Sequence, residues 1–109
     1  MKKTNRIKES REFTNVIKTG KFEKNNTYRL YSLENNLGYV RIGIAVSKKL
    51  GNAVVRTTTR RRIRAICDQL INYQSNSLDI VVMIKEPFLN QDYVKNTAEL
   101  EKVLVKILK

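Results

Sequence analysis

The hydrophobic period of this chain changes sharply within residues 48–52. In residues 39–47 the larger apolar side chains alternate with small or polar ones, which is the pattern of a strand with one buried face. From Val55 to Leu70 the apolar positions recur every three or four residues, which is the spacing of a helix. A strand followed directly by a helix predicts a mixed fold in which a sheet and helices pack together.

Three further elements are predicted before this switch. Ser10 as a cap, apolar residues at positions 13, 16 and 17, and Gly20 just past the end indicate a short amphipathic helix. Residues 28–33 form a predicted strand, which we expect to pair with residues 39–47 in a hairpin. A short extra strand is expected near residues 20–25.

Two elements are predicted after the helix that ends near Leu70. Residues 78–84 are nearly all apolar, as expected of a strand covered on both faces. Asn90 or Asp92 can cap a last helix, whose inner side is expected to carry Tyr93, Leu100, Val103, Leu104, Ile107 and Leu108. The order helix–strand–strand–strand–helix–strand–helix predicts a single α+β domain over residues 1–109, an α/β sandwich with a central sheet backed by helices.

Positive charge is concentrated in the first three-fifths of the chain. Residues 1–64 hold 17 Lys and Arg against 4 Asp and Glu, whereas residues 65–109 hold 5 against 6. Arg60, Arg61 and Arg64 fall off the apolar line of their helix and form a basic face. Such a surface needs a polyanion to offset its self-repulsion, and nucleic acid is the commonest one. A membrane surface is the competing polyanion, but it requires Phe, Trp or Leu opposite the cations, and this helix is poor in them.

The chain lacks the residues that most enzymes use for catalysis. It has no His, and its single Cys67 lies on the apolar line of a helix, which favours a buried structural thiol. The acidic residues are scattered and show no metal-ligand spacing. We therefore expect a binding protein without catalytic residues, bound metal or small-molecule substrate. One thiol, no apolar stretch of membrane-spanning length and no signal peptide favour a cytoplasmic location.

Two aromatic residues have alternative interpretations. Core packing is the favoured role of Phe13, on the first helix. Tyr31 follows Leu30 in a predicted strand, and neighbouring strand residues point to opposite faces of the sheet, so one of the two faces away from the core. An exposed tyrosine beside a basic surface can stack an unpaired base, and the pattern leaves this open.

The string from Gly43 to Arg56, G-I-A-V-S-K-K-L-G-N-A-V-V-R, resembles the signature region of the bacterial ribonuclease P protein family. The order of elements and an N-terminal segment that includes Arg6 and Phe13 extend the resemblance over essentially the whole chain. Family members normally continue from this arginine as Arg-Asn-Arg, whereas here Arg56 is followed by Thr57, Thr58 and Thr59.

The resemblance implies a fold and an activity. The fold is a small α/β sandwich with a left-handed crossover around the basic helix, similar to a domain of a small-subunit ribosomal protein. Ribonuclease P removes the 5′ leader of precursor tRNA. Its RNA subunit carries the active site and requires Mg²⁺, and the protein binds that RNA and the leader. A general RNA-binding or ribosomal protein without a role in cleavage is the alternative.

The resemblance also assigns site residues by position. The leader cleft would be lined by Phe13, Ile17 and Tyr31, although the family often has an aromatic residue where this chain has Ile17. The residues expected to contact RNA are Lys48, Lys49, Asn52, Arg56, Thr57, Arg60, Arg61 and Arg64.

Overall fold

The computed structural model describes residues 1–108, which form a four-stranded sheet with helices on both faces. The elements are α1 (Ser10–Thr19), β1 (Lys21–Lys24), β2 (Tyr28–Glu34), β3 (Arg41–Ala45), α2 (Ala53–Leu70), β4 (Leu78–Ile84) and α3 (Tyr93–Ile107), with short 3₁₀ turns at Lys3–Asn5, Lys48–Leu50 and Glu86–Asn90. This order confirms the predicted α+β sequence of elements, including the short extra strand.

The strand order is β1-β2-β4-β3. β4 pairs antiparallel with β2 and parallel with β3, so α2 is the crossover connection between two parallel neighbours. The predicted hairpin between β2 and β3 is therefore wrong. The apolar β4 takes the central position between them, where both of its faces are covered.

The main hydrophobic core lies between one face of the sheet and helices α2 and α3. Alternate residues of the strands, such as Leu30, Ile42 and Val82, meet Ile63 of α2 and Leu100 of α3 there, all at most 2% exposed. The opposite face of the sheet is covered by α1, whose Val16 is 1% exposed. The apolar stripe predicted for the central helix is thus confirmed as its core-facing side.

Helix ends differ from the predicted caps in two places. Glu9, not Ser10, is the N-cap of α1, and its side chain makes no capping hydrogen bond. Gly20 ends α1 with an ordinary φ of −77°, so it is not a left-handed cap. A Cβ at Gly20 would lie 2.5 Å from the backbone oxygens of both Val16 and Ser32, so glycine is required by the close approach of helix and strand.

The inner side of α3 differs from the prediction at Tyr93. Asp92 caps this helix, with its Oδ1 accepting from the backbone N–H of Lys95 at 2.8 Å. Because α3 starts directly after Asp92, Tyr93 lies in its first turn and is 45% exposed, whereas Asn96 is buried. Asn96 Nδ2 donates to the backbone oxygen of Phe88 at 3.1 Å, and the backbone oxygen of Asn96 accepts from the Tyr28 hydroxyl at 2.8 Å. Among residues 1–108, no helix is both long and apolar enough to span a bilayer.

Candidate nucleic-acid interface

The strand register sorts the α1-facing side of the sheet into three rows. The first row is Leu33, Asp79 and Arg41; the second is Phe22, Tyr31, Val81 and Gly43; the third is Lys24, Arg29, Met83 and Ala45. Side chains that pair across neighbouring strands point to the same face. The three rows therefore describe one continuous surface.

Helix α1 packs over the first two rows. The third row lies next to the helix and is not covered by it. Glu12 reaches Arg41 of the first row, and the Phe13 ring lies on Gly43 of the second row, where an added Cβ would meet Phe13 Cε2 at 2.6 Å. Ile17 follows Phe13 by one helical turn and shares its edge of the helix. That edge faces the third row.

All three residues predicted for the leader cleft border this open strip of sheet. Phe13, Ile17 and Tyr31 are half-buried, and Tyr31 lies on the α1 side while Leu30 is fully buried on the other. Phe13 thus packs on the sheet at Gly43, beside this strip. Binding of a leader by these residues stays a prediction.

An ion-pair network holds α1 on the sheet. Arg41 donates to both carboxylate oxygens of Asp79, at 2.8 Å from Nε and 2.6 Å from Nη2. Its Nη2 also donates to Glu12 Oε2 at 2.9 Å. The hydrogen bonds to Asp79, then those to Glu12, raise the pKa of Arg41. Because Arg41 joins β3 to β4 and α1, it fixes α1, and with it Phe13, against the sheet.

The turn before α2 is fixed by local hydrogen bonds. Ser47 Oγ accepts from the backbone N–H of Lys49 at 3.1 Å, and Asn52 Oδ1 caps α2 by accepting from the N–H of Val55 at 3.0 Å. Gly51 has φ +155°, and a Cβ there would lie 2.8 Å from Val55. Lys48 and Lys49 are exposed directly after the third-row end of β3. Asn52 therefore has a capping role, and its predicted contact with RNA stays a prediction.

Three of the five arginines of α2 lie along one flank of the helix. Arg56, Arg60 and Arg64, at four-residue spacing, are half-buried beside the core-facing stripe, whereas Arg61 is exposed further round the helix. Thr57 is exposed, and Thr59 is buried with its hydroxyl donating to the backbone oxygen of Val55 at 2.8 Å. Within residues 1–108, none of these arginines forms an ion pair.

The N-terminal segment adds a further cation to this flank. Arg6 forms an isolated parallel bridge with Ile42 at the outer edge of β3. Burial, then Arg6 and Arg60, lower the pKa of Arg64. The Nε atoms of Arg6, Arg56 and Arg64 are buried and have no hydrogen-bond partner in the part of the chain that the structure describes. This flank is therefore a cationic surface without an acidic partner in the described chain, as expected of a surface that binds phosphates.

Sequence reasoning missed one feature of this surface, a stack of side chains on the outer strands. Phe22 of β1 lies across from Tyr31, with ring centroids 5.2 Å apart, and the Arg29 guanidinium lies 5.2 Å from the Phe22 centroid. The sequence signal is a phenylalanine between lysines in a short edge strand. Its neighbours depend on the register of β1 with β2, which the sequence pattern alone does not set.

The chemistry available on this chain agrees with a binding surface. Burial, then Asp68, raises the pKa of the Cys67 thiol to about 12, so this sulfur is not an activated nucleophile. In the described part of the chain, no group of three or more Cys, Asp or Glu is arranged to hold a metal ion. The site offers cations, aromatic rings and amide groups.

Comparison with known proteins gives consistent matches over the full length. A model of the family described as Ribonuclease P matches residues 1–108. The ribonuclease P protein component of Mesoplasma florum is 38% identical over 110 residues, covering all of both chains. The solved Staphylococcus aureus RNase P protein has a TM-score of 0.82 at 34% identity, covering 96% of this chain and 95% of its own. The Thermotoga maritima RNase P protein has a TM-score of 0.75 at 28% identity, covering 95% of this chain and 94% of its own.

Proposed function

This chain belongs to the ribonuclease P protein family, and from that membership we propose that it is the protein subunit of a ribonuclease P, which binds the catalytic RNA and the 5′ leader of precursor tRNA. Family members are protein components of an endoribonuclease that processes tRNA. In the proposed division of work, the RNA subunit carries the chemistry and this chain supplies affinity and position.

The observation that carries the proposal is that the strand ending the strip of sheet, β3, leads through an exposed lysine turn into the basic helix α2. The lysines of the turn, Lys48 and Lys49, come between the third row of the sheet and the arginine flank of α2. One long polyanion could thus contact both parts. Two classes of RNA contact are supported: phosphates on the arginine flank, and bases against the cleft of Phe13, Ile17 and Tyr31.

Binding by this chain would promote cleavage by positioning the precursor tRNA. A leader held in the cleft is fixed relative to the RNA that the arginine flank binds, so its scissile phosphate is presented in one place. Added cations also lower the repulsion between two RNA molecules that must meet. We propose that Mg²⁺ serves the RNA-containing holoenzyme, and no step assigned to this chain involves a metal.

Reconstitution tests this function directly. Purified protein is added to a bacterial ribonuclease P RNA at a Mg²⁺ concentration too low for the RNA alone, and cleavage of precursor tRNA is followed on a gel. We expect leader removal only when both components are present, because the chemistry is proposed to belong to the RNA subunit. Protein that cuts precursor tRNA alone, or that stimulates no such RNA and binds ribosomal RNA more tightly than precursor tRNA, would contradict the proposal.

Replacement of the threonines at the start of α2 is expected to strengthen RNA binding. Thr57→Asn with Thr58→Arg restores the usual family pattern on exposed and half-buried positions that make no side-chain hydrogen bond in the described part of the chain. One added phosphate contact should steepen the slope of log affinity against log salt concentration by about 0.7–0.9. Filter binding at several salt concentrations measures this slope. An unchanged slope and affinity would show that these positions do not touch RNA.

A further inference from the structure

Phe22 is an exposed aromatic residue in a short edge strand. Its side chain is 43% exposed, although it packs against Tyr31 at a centroid distance of 5.2 Å and an interplanar angle of 35°. Protection of a sheet edge against aggregation needs charges rather than an exposed phenyl ring, and Lys21 and Lys24 already supply them in this strand. The contact with Tyr31 stabilises the pairing of β1 with β2 but leaves much of the ring exposed.

Three cations surround the end of this stack. The Arg29 guanidinium lies over the Phe22 ring at 5.2 Å, and Lys24 pairs with Arg29 across the strands. Lys85 follows the end of β4, and its Nζ donates to the backbone oxygen of Asn25 at 2.6 Å. Burial, then Lys24 and Arg29, lower the pKa of Lys85, consistent with the nearness of both cations to it. None of the three forms an ion pair within residues 1–108.

This arrangement has the chemistry of a single-stranded RNA site. Bases stack on aromatic rings and on the plane of an arginine guanidinium, and lysines beside them neutralise the backbone. Tyr31 belongs to the predicted leader cleft, so Tyr31, Phe22 and Arg29 form a path that leads from the cleft to the outer strand of the sheet.

We propose that Phe22 and Arg29 form a second nucleotide subsite for single-stranded RNA, which continues the leader cleft beyond Tyr31 across β1, with Lys24 and Lys85 facing the phosphates. The inference rests on the proposed function, because the RNA that enters this subsite is the precursor leader. In this proposal β1 makes binding depend on the length of the leader, since only a leader long enough to pass Tyr31 reaches Phe22.

The test uses the reconstituted holoenzyme and precursor tRNAs with a graded series of leader lengths. Affinity is measured for the unaltered protein and for the variants Phe22→Ala and Phe22→Tyr. Val94→Ala is the matched control, because Val94 is apolar and 75% exposed on α3, which packs on the opposite face of the sheet. A single 2-aminopurine placed at successive leader positions reports stacking by the loss of its fluorescence.

With the unaltered protein, affinity should rise as the leader grows long enough to cross β1. Phe22→Ala should weaken binding of the long leader about five- to tenfold and leave the affinity for short leaders unchanged. It should also restore the fluorescence of 2-aminopurine at one leader position. Phe22→Tyr, which keeps an aromatic face, should behave as the unaltered protein, and so should Val94→Ala.

Two results distinguish failure of this inference from failure of the proposed function. If the unaltered protein supports cleavage but Phe22→Ala binds long leaders normally, or weakens short and long leaders equally, the subsite is refuted and the proposed function stands. If the unaltered protein supports no cleavage with the RNA subunit, the proposed function itself fails.

Discussion

Replacing Arg60 and Arg64 together by alanine is expected to weaken binding of the ribonuclease P RNA by about 100-fold or more at low salt. Both side chains lie on the arginine flank without an ion-pair partner in the described chain, and a hydrogen bond to a charged group is worth about 1.5–3 kcal/mol. The slope of log affinity against log salt should become shallower by about 1.4–1.8, because two phosphate contacts are lost. Titration of labelled RNA at several salt concentrations gives both quantities.

The control for this variant removes the same charge elsewhere. Lys95 and Lys106 are exposed on α3, away from the arginine flank, so the double variant Lys95→Ala with Lys106→Ala should lose little affinity. The arginine variant should also fold normally. Burial and the neighbouring cations Arg6 and Arg60 lower the pKa of Arg64, so the free protein holds this charge at a cost that alanine removes. Equal loss of affinity in both double variants would show that net charge, not the flank, determines binding.

Replacing Arg41 by methionine is expected to destabilise the protein by about 3–5 kcal/mol, because the buried Asp79 carboxylate keeps its hydrogen bond from Asn35 but loses its cationic partner. The Asp79 side chain is 8% exposed and accepts two hydrogen bonds from Arg41. Arg41 also holds Glu12, so α1 loses its polar link to the sheet. Urea denaturation followed by circular dichroism measures the change in the free energy of unfolding.

Two further variants isolate the cause of this loss. Arg11 forms an ion pair with Glu9 at 3.5 Å, but its side chain is 89% exposed, so Arg11→Met should cost well under ~1 kcal/mol. Asp79→Asn in the Arg41→Met background should recover part of the stability, because it removes the uncompensated charge. Additive losses in the double variant would show that the ion pair with Asp79 does not account for the loss.

The helices and strands of this fold are largely predictable from local patterns, because each buries one side of a regular repeat. The stripe from Val55 to Leu70 predicts α2 to within two residues of its observed start at Ala53. The apolar run 78–84 coincides with β4. The pairing of strands does not depend on local sequence, and for that reason the predicted hairpin of β2 with β3 is wrong. Alternation of apolar residues indicates a strand but does not tell which strand pairs with it.

The residues of the candidate site are likewise predictable only in part. Residues from the signature string and the basic helix are placed by the resemblance and by helical spacing, and the structure brings Phe13, Ile17 and Tyr31 to one side of the sheet. Arg41 and Phe22 are not predictable, because their partners come from other elements: Asp79 and Glu12 for the first, Tyr31 and Arg29 for the second. Local patterns carry no information about contacts set by register.

The central place of β4 has a consequence for synthesis on the ribosome. Residues 78–84 supply the pairing edges for both β2 and β3, so the chain up to Ser77 contains only the β1–β2 pairing of the final sheet. The basic helix is thus translated before the sheet that positions it can close. Because such non-local pairing delays folding until late in translation, the nascent protein exposes its most cationic segment to cellular RNA while still attached to the ribosome.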